Sequence, residues 1–405
     1  MQTSGKSIRD IAQEGMLMPQ EEMLEIGRRK SSLYIGVPKE TSFQENRVAL
    51  IPQAVALLVN NGHKVVIQRS AGLKANYSDH EYSEAGAQVG DIREVFEADI
   101  ILKIAPPTEK EIDLMKPGQT LMTALQLNMQ LKGTLLKLIE KRITAIAWDF
   151  IQDDDEVYPT VRTMGEIAGN TAILIAAECL SNMNDGVGLM FGGIAGVKPS
   201  EVVILGAGTV GEYAARAALG LGASVKVFDS SISRLRRLQD NVGHRVYTSV
   251  MEPTVLEECL ITADVAIGAI RSNRGRTPVV VTESMVEKMK KGAVIVDVSI
   301  DRGGCFETSK VTDHERPTYV KHDVVHYCVP NIASRVSRTA SNALSNIFSP
   351  IVLEMADAGG CKSLIKADAG FRNGVYMYQG KLTSELLSEI FDLPYKDINL
   401  LLAAF

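Results

Sequence analysis

The stretch VVILGAGTVGEYAARAALGLGASVKVFD, residues 202–229, carries the strongest chemical signal in the chain. Gly206, Gly208 and Gly211 stand in GxGxxG spacing after an apolar run and before an alanine-rich one, and Asp229 closes the next apolar run. The pattern suits a dinucleotide: Gly206 permits a tight turn, Gly208 lets the backbone approach a pyrophosphate, and Gly211 lets helix and strand pack closely. Thr209 and Val210 open a helix whose N–H groups and dipole face the phosphates. Asp229 is expected to accept hydrogen bonds from the ribose hydroxyls and to repel a 2′-phosphate, which selects NAD over NADP. Arg234, five residues on, would instead meet such a phosphate if the loop closed over it. A glycine-rich turn without a ligand is the alternative, and the flanking elements and the acid weigh against it.

A second stretch, AVIVDVSIDRGGCFE at 293–307, puts two carboxylates on an apolar run. Desolvating a carboxylate is costly unless it is paired or hydrogen-bonded. Asp297, inside the run, reads as a structural hydrogen-bonding group. Asp301 falls just past its carboxyl end, where ligands of open α/β sheets bind; an Asx-turn or helix cap is an equal reading. Near the amino end, GVPKETSFQENRVAL supplies Lys39, Glu40 and Arg47, and ILKIAPP sets Lys103 in an otherwise apolar run. Arg47 and Lys103 suit a clamp on a small carboxylic substrate, a bidentate fork beside a point charge. An internal ion pair with Glu40 or Glu45 is the competing reading, slightly ahead on sequence alone. Between these lies LMTALQLN at 121–128, a buried strand that ends in an amide, Gln126.

The elements that position these residues are short β-branched runs alternating with helical patterns, the signature of parallel α/β architecture. Strands are expected at 33–37, 64–68, 99–104, 120–125 and 144–150, and again at 201–206, 224–229, 263–270, 293–300 and 323–329. Helices are expected at 52–60 and 129–140, and a glycine-rich loop at 186–199. The fold class is α/β: two Rossmann-like doubly wound parallel-sheet domains with a cleft between them. The tail beyond Pro350 reads as helix, loop and helix without strands, unable to form a domain alone.

Composition narrows the classes of function. A chain of 405 residues with 45% hydrophobic content accommodates two cores. A net charge of −6 with dispersed Lys and Arg argues against nucleic acid, and RLRR at 234–237 reads as a solvated helix face. The apolar runs are shorter than the ~18 residues a membrane helix needs, and the first thirty residues lack the pattern of a secretory signal. Five cysteines without CxxC spacing indicate neither a metal site nor a disulfide framework, which fits a reducing cytoplasm.

With these residues in place, the chain resembles the alanine dehydrogenase family and its relative, the NAD-binding domain of proton-translocating transhydrogenase. The resemblance runs from about residue 33 to 359. It rests on IGVPKE…ENRVAL, ILKIAPP, EIAGNTAILIAA, GVKPSEVVILGAGTVG, VIVDVSIDRGGCFETS and PTYVKHDVVHYCVPNIAS. It implies that Arg47 and Lys103 hold the carboxylate and carbonyl of a 2-oxo acid, that Asp301 stands beside the nicotinamide, that Asn331 contacts the nicotinamide end, and that Asp229 binds ribose. It implies a discontinuous substrate domain, 1–163 with 337–405, around an NAD-binding domain of 164–336, and a homo-oligomer, a hexamer by analogy. His326 matches a structural histidine.

Two positions depart from the family pattern. Gln126 stands where the family carries a catalytic histidine, and Gly165 where it carries a serine. There are also extra segments at both ends, including an amphipathic stretch at 19–30. An amide carries no protons, so Gln126 would orient a carbonyl or water while proton transfer falls to Asp301, with Lys103 assisting if desolvation lowers its pKa. The leading expectation is NAD-dependent interconversion of L-alanine, or a related small 2-amino acid, with the 2-oxo acid and ammonia. The alternatives are an imine reductase or opine-type dehydrogenase using a larger amine, and an NAD(H)-binding transhydrogenase-like or regulatory subunit.

Overall fold

A computed structural model describes residues 31–126, 130–182, 186–272 and 275–403. The amphipathic stretch at 19–30 and the end of LMTALQLN beyond Gln126 lie outside these residues. The first group of strands is β1 (Tyr34–Val37), β2 (Lys64–Gln68), β3 (Gln88–Gly90), β4 (Ile100–Leu102), β5 (Thr120–Thr123) and β6 (Thr144–Ala147). The second is β7 (Glu201–Leu205), β8 (Ser224–Phe228), β9 (Tyr247–Ser249), β10 (Val265–Gly268), β11 (Val294–Asp297), β12 (Thr318–Lys321) and β13 (Val324–Tyr327). Two more, β14 (Val375–Tyr378) and β15 (Lys381–Leu382), come from the tail.

They form an eight-stranded sheet of order β15-β14-β6-β5-β4-β1-β2-β3 and a seven-stranded sheet of order β12-β13-β11-β10-β7-β8-β9. In each, the first strand pairs in parallel on both sides, β1 with β2 and β4, and β7 with β8 and β10. Chain direction across the sheet therefore reverses at β1/β4 and at β7/β10, the crevices where doubly wound sheets take ligands.

The continuous apolar character of these strands follows from burial on both faces. Ile35, Val37, Val65, Ile67 and Leu102 enter one core, while the alternate residues Val66, Ile101, Leu121 and Ala145 enter another. The second sheet splits in the same way, Val202 and Ile204 to one side and Val203 and Leu205 to the other. Each such side chain contributes about 1.5–3 kcal/mol on burial. The long helix Ser337–Asp357 returns to the first sheet and buries Leu344, Phe348, Val352 and Met355 on it.

The strands are mostly parallel, as expected, with antiparallel ones at the sheet edges: β14 runs antiparallel to β6, β15 antiparallel to β14, and β12 antiparallel to β13. Two expectations are corrected. The tail is not strandless. Gln379 and Gly380, with φ 49° and 76°, make a two-residue hairpin turn between β14 and β15. Four apolar residues, VYMY, beside a helical pattern were too brief a signal to separate from it. The strand holding LMTAL ends at Thr123, and Gln126 lies past it at φ 37°, in the left-handed region. The short strands β3, β9 and β12, of three, three and four residues, have no clear sequence signal.

Candidate active site

Arg47 is placed by a row of serines. Ser334, Ser341 and Ser345, spaced along one helical face, accept the backbone N–H groups of Asn46, Val48 and Ile51 at 2.8, 2.9 and 2.9 Å. The extended segment that carries Arg47 is thereby fixed to the helix Ser337–Asp357 and the turn before it. Arg47 is buried and bidentate to Glu45, Nε to Oε1 at 2.7 Å and Nη2 to Oε2 at 2.6 Å. Burial opposes its charge, but Glu45, Glu40 and Asp301 outweigh it and raise the guanidinium's pKa. Nε and Nη2 are committed to Glu45, and Nη1 lies against Met164 Sδ.

Lys103 follows β4 and is fully buried. Its Nζ lies 2.7 Å from Glu111 Oε1 and 3.4 Å from Glu40 Oε2. Burial alone lowers its pKa, and the two carboxylates reverse the sign, so the ammonium is held above its ordinary range. The condition set for Lys103 to assist proton transfer, a pKa lowered by desolvation, is therefore not met. Two of its three N–H groups face carboxylates. Glu40 accepts from Ile104 N at 2.6 Å, and burial, ahead of the opposing Lys103, raises its pKa. Glu111 also caps its own helix, taking Thr108 N at 2.7 Å in a Thr-x-x-Glu box. That motif is legible in TEKE, and its role beside Lys103 was not anticipated.

From the second sheet, Asp301 lies in the turn Val298–Arg302 after β11. Its Oδ1 accepts the backbone N–H of Asn331 at 2.9 Å, a contact thirty residues away. Asn331, at φ 56°, directs its side-chain amide to Glu45 Oε2 at 2.9 Å. The chain Asp301–Asn331–Glu45–Arg47 thus joins the two sheets. Asp301 is reached by solvent although protein surrounds it, as on a cleft wall. Desolvation raises its pKa against the Asn331 N–H, Arg47 and Arg302. Asp297 is structural, accepting from Ser299 N, Cys305 N and Ser309 Oγ, and His326 is buried between Thr308 Oγ1 and Val324 O.

Gln126 follows β5, the neighbour of β4, and its buried Oε1 has no partner among the described residues. Leu125 N, just before it, donates to Asp149 Oδ1 at 2.9 Å. Asp149 follows β6, and burial moves its carboxyl up to about 6 against that hydrogen bond, Arg271 and Arg302. Asp149, Arg271 and Arg302 escaped notice in the sequence because single charges after strands have many uses.

The glycine loop fits a dinucleotide. Gly206 has φ 113°, and a β-carbon on Gly211 would lie 1.8 Å from the Gly206 carbonyl oxygen. At Gly208 a β-carbon would meet nothing within 4 Å, so that side is open to a ligand. Thr209 and Val210 begin the helix Thr209–Gly220, so their N–H groups lack helical acceptors. Gly165, on the helix Pro159–Leu180, lies beside that terminus, where a β-carbon would meet Thr209 at 3.4 Å, an ordinary contact. Asp229 is buried and braces the loop through Ala207 N at 2.7 Å and Ser231 N at 2.8 Å, while Arg234 Nη1 stands 3.9 Å away and is half exposed.

Among the described residues, one group could hold a metal, Glu283, Glu287 and His322, on the surface, where Lys321 and His322 already pair with Glu283. No helix of the described residues is long and apolar enough to cross a membrane.

Two family descriptions match the chain, "Alanine dehydrogenase/PNT, N-terminal domain" over residues 36–168 and "Alanine dehydrogenase/PNT, C-terminal domain" over 172–385. An alanine dehydrogenase of Staphylococcus saprophyticus is 39% identical over 369 residues, 91% of this chain and 99% of that protein. One of Mycolicibacterium smegmatis is 39% identical over 373 residues, 92% of this chain and 100% of that protein. A solved L-alanine dehydrogenase superposes with TM-score 0.83 at 38% identity, covering 88% of this chain and 99% of that one. A transhydrogenase from Sinorhizobium meliloti shares the fold, at TM-score 0.76 and 22% identity, covering 86% of this chain and 99% of that one.

Proposed function

The chain belongs to the alanine dehydrogenase/PNT family, and we propose that it interconverts L-alanine, or a closely related small 2-amino acid, with the 2-oxo acid and ammonia, using NAD. It is an oxidoreductase acting on CH–NH2, as its relatives are. The observation that carries the residue roles is the chain Asp301–Asn331–Glu45–Arg47, which sets a carboxyl and a cation at facing sheet edges.

Gly206, Gly208, Thr209, Val210 and Gly211 hold the pyrophosphate of a nicotinamide cofactor, and Asn331 lies toward its nicotinamide end. Asp229 favours NAD because a 2′-phosphate would meet a buried carboxylate, the half-exposed Arg234 notwithstanding. Bound there, the cofactor supplies hydride exchange with C2 of the substrate.

Arg47 takes the substrate carboxylate and Lys103 polarises the C2 oxygen. Asp301 holds and returns the proton as water adds to the substrate imine and the carbinolamine collapses, a task its raised pKa suits. Gln126 offers one donor and one acceptor to orient that water or carbonyl.

We further infer that residues 1–163 with 337–405 form the substrate domain and 164–336 the cofactor domain; the tail's β14 and β15 in the first sheet support this division. Five free, buried cysteines support a cytoplasmic setting. The exposed Met190, Ile194 and Val197 of the glycine-rich loop support a homo-oligomer, a hexamer by resemblance. The test is oxidation of L-alanine with NAD and with NADP. NAD reduction with pyruvate and ammonium as products supports the reading, and no reduction with alanine or its small homologues removes it.

A further inference from the structure

Two guanidinium groups in the site have no role in the chemistry above. Arg271 follows β10 and Arg302 ends the turn after β11, on adjacent strands where Gly268 pairs with Asp297. Their segments are stitched together: Arg302 Nη1 donates to Ser272 O, Thr277 N donates to Arg302 O at 2.8 Å, and Arg276 Nη2 donates to Gly303 O at 3.4 Å. Neither Arg271 nor Arg302 has a carboxylate within 4 Å among the described residues, and Arg271 is exposed. Arg302 Nη1 reaches the carbonyl of Ser272, the residue after Arg271, which brings the two cations to one edge of the sheet. Such a pair is relieved by an anion placed between them.

Their place identifies the anion's owner. Arg302 directly follows Asp301, which reaches the first sheet through Asn331 and Glu45, and the charges of both arginines act on Asp149 after β6. Asp149 in turn holds Leu125, next to Gln126. The pyrophosphate has its own cradle at the end of β7, whereas these arginines stand after β10 and β11, beside Asp301. The 2-oxo acid head is already provided for by Arg47 and Lys103.

We propose that Arg271 and Arg302 form a second anion subsite, so that the site takes 2-oxo and 2-amino acids whose side chain ends in a carboxylate as well as pyruvate and alanine. This rests on the dehydrogenase reading. The reaction is unchanged: a 2-oxo acid, ammonium, the reduced cofactor and a proton give the 2-amino acid, the oxidised cofactor and water. C2 gains a hydride and a C–N bond as its oxygen leaves, and the distal carboxylate serves only recognition.

The experiment compares 2-oxoglutarate with 2-oxopentanoate, which has the same chain length without the distal carboxylate, and with pyruvate. Initial rates of NADH oxidation with ammonium are measured for the wild type, Arg271→Leu and Arg302→Gln, alongside melting temperatures of the NADH complex with each acid. The wild type prefers 2-oxoglutarate to 2-oxopentanoate by at least about tenfold in kcat/KM, each variant lowers that ratio by a similar factor, mainly through KM, and only 2-oxoglutarate's thermal shift shrinks. No preference in the wild type, or a ratio unmoved by both variants, overturns the proposal while pyruvate turnover leaves the dehydrogenase reading standing. Variants that raise the KM for NADH equally with every acid also overturn it, assigning the arginines to the cofactor's phosphate. If nothing turns over but 2-oxoglutarate raises the melting temperature in an Arg271-dependent way, the subsite stands and the dehydrogenase reading falls.

Discussion

Asp301 Oδ1 accepts the backbone N–H of Asn331 at 2.9 Å. The donor is a main-chain group, so it holds the carboxyl in place whatever side chain stands at 331. The Asn331 amide carries the connection onward to Glu45 and hence to Arg47. The proton-handling group and the substrate-binding cation are positioned by one continuous set of contacts.

Asp301→Asn keeps an oxygen for that N–H and removes the titratable group. Its kcat is expected to fall by about 10²–10⁴-fold, with NADH affinity, read by fluorescence titration, near the wild-type value. A kcat close to wild type assigns the proton transfers elsewhere.

Glu111→Ala removes the nearer partner of a fully buried ammonium. Breaking such a pair costs about 3–5 kcal/mol because the remaining charge is left uncompensated. Urea unfolding measures it, and a loss below about 1 kcal/mol contradicts the pairing.

Asp149 gives a signed pH dependence. Its carboxyl titrates near 6 in the folded chain, above the ~3.9 of an unfolded one, so the native state prefers the protonated form. That contribution is fully present below about pH 4 and is lost as pH rises through about 6. Relative to Asp149→Asn, whose amide oxygen still accepts Leu125 N–H, the wild type is expected to lose roughly 2–3 kcal/mol between those limits. Unfolding midpoints across that range check it, and a relative gain with rising pH reverses the assignment.

Asp229→Asn keeps an acceptor for the loop N–H groups and removes the charge that a 2′-phosphate would meet. The ratio of kcat/KM for NADH over NADPH is expected to drop by at least about tenfold. An unchanged ratio moves cofactor selection to Arg234 or beyond.

The glycine loop and the strands that carry the site were legible because local rules govern them: GxGxxG spacing, apolar runs, and polar residues at carboxyl ends. The ion pairs were half legible. Lys103 in an apolar run demanded an acid, and the expected pairing with Glu40 or Glu45 is found as Lys103–Glu40 and Arg47–Glu45, but Glu111, the nearer partner of Lys103, is selected only by the close approach of β4 and the Glu109–Leu114 helix. The serines at 334, 337, 341 and 345 have helical spacing, but that three of them take the 46–51 segment while Ser337 donates to Lys74 O became apparent only once the chain lay against them. Asp149 facing Arg271 and Arg302 depends on how the two sheets meet, which no local pattern encodes.

The most direct measurement is NADH oxidation by the purified protein with pyruvate, with and without ammonium. Ammonium-dependent oxidation that yields L-alanine in equal amount is the predicted result. Oxidation that ignores ammonium, or none with pyruvate and its small homologues while NADH binds, contradicts it.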